Sequence, residues 1–195
     1  KTNFDIKNII IMGGSKIALK TVQYLPNDIN VKIIESDRDK CYKLADKTDT
    51  LIIHGDGRNI DLLKDEGIED ADAFIALTDN SETNVLACLA AKRFGIRKTI
   101  AEVENIDYID LADNLDIGTL INKKLIAASY IYQETLDEDA YDVKCLTYSD
   151  AEVVEFVVKA GDRITRDRVR NLNLPEDVNI GGVVRNGKGY IVNGN

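Results

Sequence analysis

Ile9-Ile10-Ile11-Met12-Gly13-Gly14-Ser15-Lys16-Ile17-Ala18 is the stretch on which the fold turns. Branched apolar residues run into two glycines and then into a segment at helical spacing, which predicts a buried strand, a tight turn and a helix start. The next apolar run, Val31-Lys32-Ile33-Ile34, ends in Glu35. Gly13 suits the tight turn, amides at a helix N-terminus face an anion, and an acid about 20 residues on accepts from ribose hydroxyls. The order strand, turn, helix, strand, acid is the dinucleotide-binding fingerprint in its required context. Phosphates are expected on the amides of Gly14, Ser15, Lys16 and Ile17, and ribose on Glu35, an acid that disfavours a 2′-phosphate. Ser15 stands where a second glycine lets the backbone approach a pyrophosphate, while Ala18 is an accepted substitute at the third position. The Ser15 hydroxyl either donates to a phosphate or marks a turn that has no ligand. Lys16 either reaches a phosphate or is solvated.

Working outward, short apolar runs alternate with longer amphipathic ones, as in a parallel sheet buried on both faces. Strands are expected at Ile9–Ile11, Val31–Ile34, Leu51–Ile53, Ala73–Leu77 and Thr99–Ala101, with a weaker one at Thr119–Ile121. The clearest helix runs from Ser81 to Phe94, with Val85, Leu86, Leu89 and Ala90 on one face and Gly95 as its stop. Right-handed crossovers then give an α/β fold, a doubly wound parallel Rossmann-type sheet. Asp56 and Gly57 follow the third strand and Thr78 and Asp79 the fourth, so all four fall at the carboxyl edge, where open sheets bind ligands. They would border the adenine and the inner ribose. The alternative is a turn at Gly55-Asp56-Gly57 and a helix cap over Thr78–Ser81.

The segment Lys123–Leu136 is helical in propensity but apolar nearly all round, so it is either a core helix or a subunit interface. After Leu136-Asp137-Glu138-Asp139 the alternation stops, which places a boundary near residue 140 and gives a domain over 1–139 and a small α+β subdomain over 140–195. There the sequence predicts a half-buried strand at Ala151–Val158, a short helix at Thr165–Asn171 and a hairpin at Asn186-Gly187. The last strands leave a sheet edge that further chain or a partner would pair.

The chain has 195 residues, 44% of them hydrophobic and 30% charged, with two prolines, the balance of a packed globular protein. Its net charge of −9 is spread along its length, which argues against nucleic-acid binding. No apolar run is long enough to span a bilayer, so direct membrane insertion is not expected. The start, Lys1-Thr2-Asn3-Phe4-Asp5, shows neither a signal-peptide core nor an initiating Met and reads as an excised or processed piece. Cys41, Cys88 and Cys145 suit neither a disulfide framework nor zinc and are expected as buried, reduced thiols.

Catalytic residues are not expected. His54, the one histidine, has no evident nucleophile partner and reads as a hydrogen-bonded core or rim residue. A Tyr-x-x-x-Lys pair and metal-ligand spacings are both missing from the sequence. A small NAD-dependent oxidoreductase and a structural module without ligand remain the alternatives to a binding module.

The chain resembles the regulatory subunit of the bacterial Trk potassium-uptake system, built from RCK or KTN domains. Beyond the glycine turn and Glu35, the resemblance rests on His54-Gly55-Asp56-Gly57, Ala76-Leu77-Thr78-Asp79-Asn80-Ser81-Glu82-Thr83-Asn84, Leu89-Ala90-Ala91-Lys92-Arg93-Phe94-Gly95 and Leu174–Arg185. It implies two such modules in tandem, of which this resembles the second, with the last strands of its C-terminal subdomain cut away. It further implies a cytoplasmic module at the inner face of the membrane that senses NAD(H) or ATP/ADP. Such a module pairs through the helix after Lys123 into a dimer that builds a ring, and gates a membrane-embedded potassium transporter subunit.

Overall fold

A computed structural model of the chain describes residues 5–105, 109, 115–135, 140–145 and 152–192, with the side chains of 140–145 and 152 outside that description. The acidic break at 136–139, the Cys145 thiol, Ala151 and the two termini therefore lie outside the described residues. Two compact units divide the chain, Lys1–Ala128 and Ser129–Asn195.

The first unit is a six-stranded, wholly parallel sheet. In chain order come β1 (Asn8–Met12), α1 (Lys16–Tyr24), β2 (Asn30–Glu35), α2 (Arg38–Ala45), β3 (Leu51–His54), α3 (Ile60–Asp65), β4 (Ala73–Ala76), α4 (Ser81–Arg93), β5 (Lys98–Glu102) and β6 (Thr119–Ile121). The strand order β3-β2-β1-β4-β5-β6 reverses direction between β1 and β4. That reversal opens a crevice at the carboxyl ends of the strands. The Rossmann-type sheet expected from the alternating runs is the observed architecture, with each strand within a residue or two of its apolar run.

Strands buried on both faces need helices on both. Ile10, Met12, Ile34 and Phe74 face α3 and α4, packing on Leu63, Ala87, Cys88 and Ala91. Ile9, Ile11, Ile33 and Ile75 face α1 through Ala18 and Val22. The buried stripe of α4 differs from the one expected. It runs through Asn84, Ala87, Cys88 and Ala91, with Val85 and Leu89 half-buried beside it and Leu86 exposed. Small side chains win the inner position because they let the helix close on Phe74. The helix ends at Arg93 with Phe94 as its C-cap, and Gly95 takes φ +85° to donate its amide to the Lys92 carbonyl at 2.9 Å.

The helix α5 (Lys123–Thr135) starts in the first unit and ends in the second. Asn122 caps it, its Oδ1 accepting from the amides of Lys124 and Leu125 at 2.9 and 3.0 Å. None of its side chains is buried, and Ile126, Tyr130 and Ile131 are well exposed.

The second unit, taken by itself, carries two antiparallel ribbons, β7 (Ala140–Cys145) with β8 (Glu152–Phe156) and β9 (Gly182–Arg185) with β10 (Lys188–Ile191). Asn186 and Gly187 join the latter pair with φ of 50° and 73°, the left-handed pair that a two-residue hairpin turn requires. Two expectations are corrected. Where a short helix was expected over Thr165–Asn171 there are two separate 3₁₀ turns, Arg163–Thr165 and Val169–Asn171. The strand expected from Ala151 is not half-buried, because Val153 and Phe156 are both exposed.

Candidate functional site

The carboxyl edge of the sheet gathers the expected binding residues. Met12 pairs with Ile34 and Ala76, Ala76 pairs with Ala101, and Glu35 pairs with His54. One residue further on, Glu35, Gly13, Leu77 and Glu102 therefore share a rung across β2, β1, β4 and β5. Strands spaced by about 4.8 Å put Gly13 next to Glu35 and about 10 Å from Glu102.

Gly13 is dictated by the chain itself. Its φ is +100°, and a Cβ there would come within 2.9 Å of the Leu77 carbonyl and the Thr78 nitrogen. Its amide donates to the Ile34 carbonyl at 2.9 Å. Gly14 is constrained less strictly, by side chains: a Cβ would run into the Leu44 side chain and to 3.0 Å from the Glu35 carboxylate. Glu35, only 7% exposed, turns toward this bend. Its Oε2 accepts the Gly14 amide at 2.7 Å, while Oε1 accepts from the Asp37 amide at 2.8 Å and the Ser36 hydroxyl at 3.3 Å. Three of roughly four acceptor positions on the carboxylate are thus used.

Ser15 is the N-cap of α1, its Oγ accepting from the Ala18 amide at 3.2 Å. The amides of Lys16 and Ile17 belong to the first turn, where a helix has no internal acceptor for them, so this end of α1 can present donors to an anion. The Lys16 side chain is exposed.

The other expected residues are held by local contacts. Asp56 forms a two-pronged ion pair with Arg58, Nη2 to Oδ2 at 2.7 Å and Nε to Oδ1 at 3.0 Å, and Oδ1 also accepts the Arg58 amide. The Arg58 guanidinium holds the Asp56 carboxyl below its ordinary range. Gly57 is buried against Met12, leaving no room for a Cβ. Thr78 donates its hydroxyl to Asn84 Oδ1 at 2.6 Å, and its amide donates to the same oxygen at 3.0 Å. Asp79 is exposed on the loop into α4. His54 sits on the rim, its Nε2 3.1 Å from the Ser36 carbonyl.

Four residues of this edge, Asn84, Glu102, Glu104 and Lys123, escaped sequence reasoning. Asn84, 1% exposed, donates through Nδ2 to the carbonyls of Thr78 and Glu102, both at 2.9 Å, and so ties the ends of β4 and β5 together. Its signal was an asparagine one turn inside a helix, a place where an amide rarely sits without a partner. Glu102 is 3% exposed, and Lys123 meets its Oε1 at 2.6 Å and Glu104 at 3.9 Å. The Glu102 carboxylate pushes the Lys123 ammonium above its ordinary range. No local pattern marks that pairing. Among the described residues no cluster of His, Cys, Asp and Glu could hold a metal ion, and no helix is long and apolar enough to cross a membrane.

Comparison with known proteins agrees with this fold. Residues 9–123 match the TrkA-N domain model. The Trk system potassium uptake protein TrkA of Halomonas elongata is 29% identical over 185 residues, 93% of this chain and 40% of the relative. The chain thus spans about two-fifths of that relative's length. A TrkA homolog from Methanothermobacter thermautotrophicus is 29% identical over 92% of this chain and 83% of its own length. Among solved structures, the TrkA-N domain of inner membrane protein ybaL from Escherichia coli superposes with a TM-score of 0.60 at 15% identity, covering 68% of this chain and 98% of that one. The GsuK channel bound to NAD superposes at 0.55 and 15% identity, over 67% of this chain and 24% of that one. These two share the fold. With the family model matched over more than half of its residues, the chain belongs to the TrkA-N domain family.

Proposed function

We propose that this chain is a cytoplasmic regulatory module of a potassium uptake transporter, and not an enzyme. It binds NAD(H), or ATP/ADP, across the carboxyl edge and passes the binding event to a membrane-embedded translocator. The observation that carries the reading is the Glu35 carboxylate fixed against the Gly13–Gly14 turn beside the start of α1. That arrangement sets a sugar acceptor next to anion-facing amides. Phosphates would meet the amides of Ser15, Lys16 and Ile17 but not that of Gly14, which was expected with them and is instead taken by the Glu35 carboxylate; ribose would meet Glu35, and Asp56, Gly57, Thr78 and Asp79 would border the nucleoside. Relatives named for potassium uptake and a structural neighbour bound to NAD support it. In this reading residues 1–139 sense the nucleotide and 140–195 form a C-terminal subdomain. The exposed face of α5, with Ile126, Tyr130 and Ile131, pairs modules into dimers that build a ring at the inner face of the membrane.

A ligand shifts such an assembly only through its different affinity for two arrangements. Isothermal titration calorimetry with NADH, ATP and ADP tests the sensing half. Heat from one of them, lost in Glu35→Ala, supports it. A second reading, a module that pairs without ligand, is favoured by the turn itself: both glycines are explained by packing, and Glu35 already takes the Gly14 amide. Silence with all three nucleotides would select that second reading.

A further inference from the structure

A dinucleotide in an open sheet lies across the strand reversal, here β1 against β4, so its first nucleoside faces β2 and its second half faces β4 and β5. The two sides differ in charge. On the β2 side the Glu35 carboxylate is taken up by the Gly14 and Asp37 amides. On the β5 side Glu102, the last residue of the strand, and Glu104, two residues beyond it, share the Lys123 ammonium, closely for the first and at the limit of an ion pair for the second. Two carboxylates against one cation leave a net negative charge there.

Glu104 is the outer member. Its amide donates to the Ser81 hydroxyl at 2.9 Å, which seats it beside the first turn of α4. Its carbonyl accepts from Asn122 Nδ2 at 3.0 Å. The backbone is clamped from both sides while the side chain stays 57% exposed. Asp79, exposed on the loop just before α4, adds a further carboxylate to this half of the edge.

We infer that Glu104, backed by Glu102, is a specificity determinant of this edge, favouring a nicotinamide dinucleotide over nucleoside di- and triphosphates. The inference rests on the reading that a nucleotide binds at the carboxyl edge. Beyond the Gly13 turn a dinucleotide continues with an uncharged ribose and a nicotinamide ring, cationic in NAD+ and neutral in NADH, whereas ATP continues with phosphate. One extra unit of like charge about 10 Å away, at the intermediate dielectric of a protein surface, weakens binding about tenfold before salt screening. Lys123 does not offset this, because it is engaged with the buried Glu102 at 2.6 Å.

Titration calorimetry of the intact chain with NAD+, ADP and ATP, on the natural sequence and on Glu104→Gln, tests the assignment. At low salt the natural chain binds NAD+ up to about tenfold tighter than ATP, and Glu104→Gln closes most of that gap by strengthening ATP and weakening NAD+, whose cationic nicotinamide ring loses a nearby carboxylate. Raising the salt narrows the gap in the natural chain and not in the variant. ATP bound as tightly as NAD+ by the natural chain, or a ratio that ignores the substitution, overturns the inference and leaves the nucleotide site standing. Binding of none of the three overturns the nucleotide reading itself, and the inference with it.

Discussion

The Glu35 carboxylate accepts the Gly14 amide at 2.7 Å, so the acid at the tip of β2 also closes the turn at the tip of β1. A buried carboxylate bonded to two amides and a hydroxyl has a structural role in this turn. Glu35→Ala leaves the Gly14 and Asp37 amides without their acceptor and costs about 2 kcal/mol of stability, read by urea denaturation. An unchanged midpoint would show that water replaces the carboxylate at no cost.

Gly13 tests the turn from the other side. Gly13→Ala forces a Cβ into the Leu77 carbonyl and the Thr78 nitrogen at a φ of +100°. Backbone cannot give way as a flexible side chain does, so the substitution costs on the order of 2–4 kcal/mol. A melting curve that superimposes on the parent would contradict it. Gly95→Ala, with the left-handed φ but open space around it, is the milder control.

How far the sequence speaks is clear from these two positions. Gly13 and Glu35 were legible because a glycine turn and a distant acid form a local, ordered pattern, and the strands were legible because burial on both faces leaves unbroken apolar runs. Asn84, Arg58 and the Glu102–Lys123 pair were not. Their partners are joined by the fold or by rotamer choice, and spacing does not encode which polar side chain finds which carbonyl. The inner face of α4 was misplaced for a related reason: apolarity pointed to Leu86, whereas the close approach to Phe74 selects Ala87, Cys88 and Ala91.

Asn84→Ala removes an amide that serves the Thr78 amide and the carbonyls of Thr78 and Glu102. Water has little access to a residue 1% exposed, so the orphaned groups cost about 2–3 kcal/mol. Amide hydrogen exchange reads the effect directly, with the Thr78 amide exchanging faster than those of β1. Equal protection in both proteins would mean the loops hold without the bridge.

Cys88 supplies a pH test. Burial pushes its thiol up to about 12, against 9.0 for the free group. The folded protein therefore keeps the proton that the unfolded chain releases, and stability falls as pH rises from about 9 to about 12, levelling beyond. The loss is on the order of 4 kcal/mol at the upper end. Cys88→Ala should flatten that part of the stability profile, and a slope that survives the substitution would assign it to other groups. At pH 8 the native Cys88 thiol should resist alkylation, with mass spectrometry separating it from Cys41 and Cys145.

Lys123 stands at the first residue of α5 and is the counter-ion of a carboxylate 3% exposed. Removing it in Lys123→Met leaves the buried Glu102 carboxylate without its counter-ion, while removing both charges in Lys123→Met with Glu102→Gln does not. The single change should cost about 2 kcal/mol, below the 3–5 kcal/mol of a fully enclosed pair because the ammonium is nearly half exposed to water. The double change should recover most of that loss, since an uncharged amide in place of the carboxylate needs hydrogen bonds and no counter-ion. A double-mutant cycle in urea measures the coupling. Additive losses would mean that Lys123 and Glu102 are stabilised separately, and that the start of α5 is held to the sheet edge by the Asn122 cap alone.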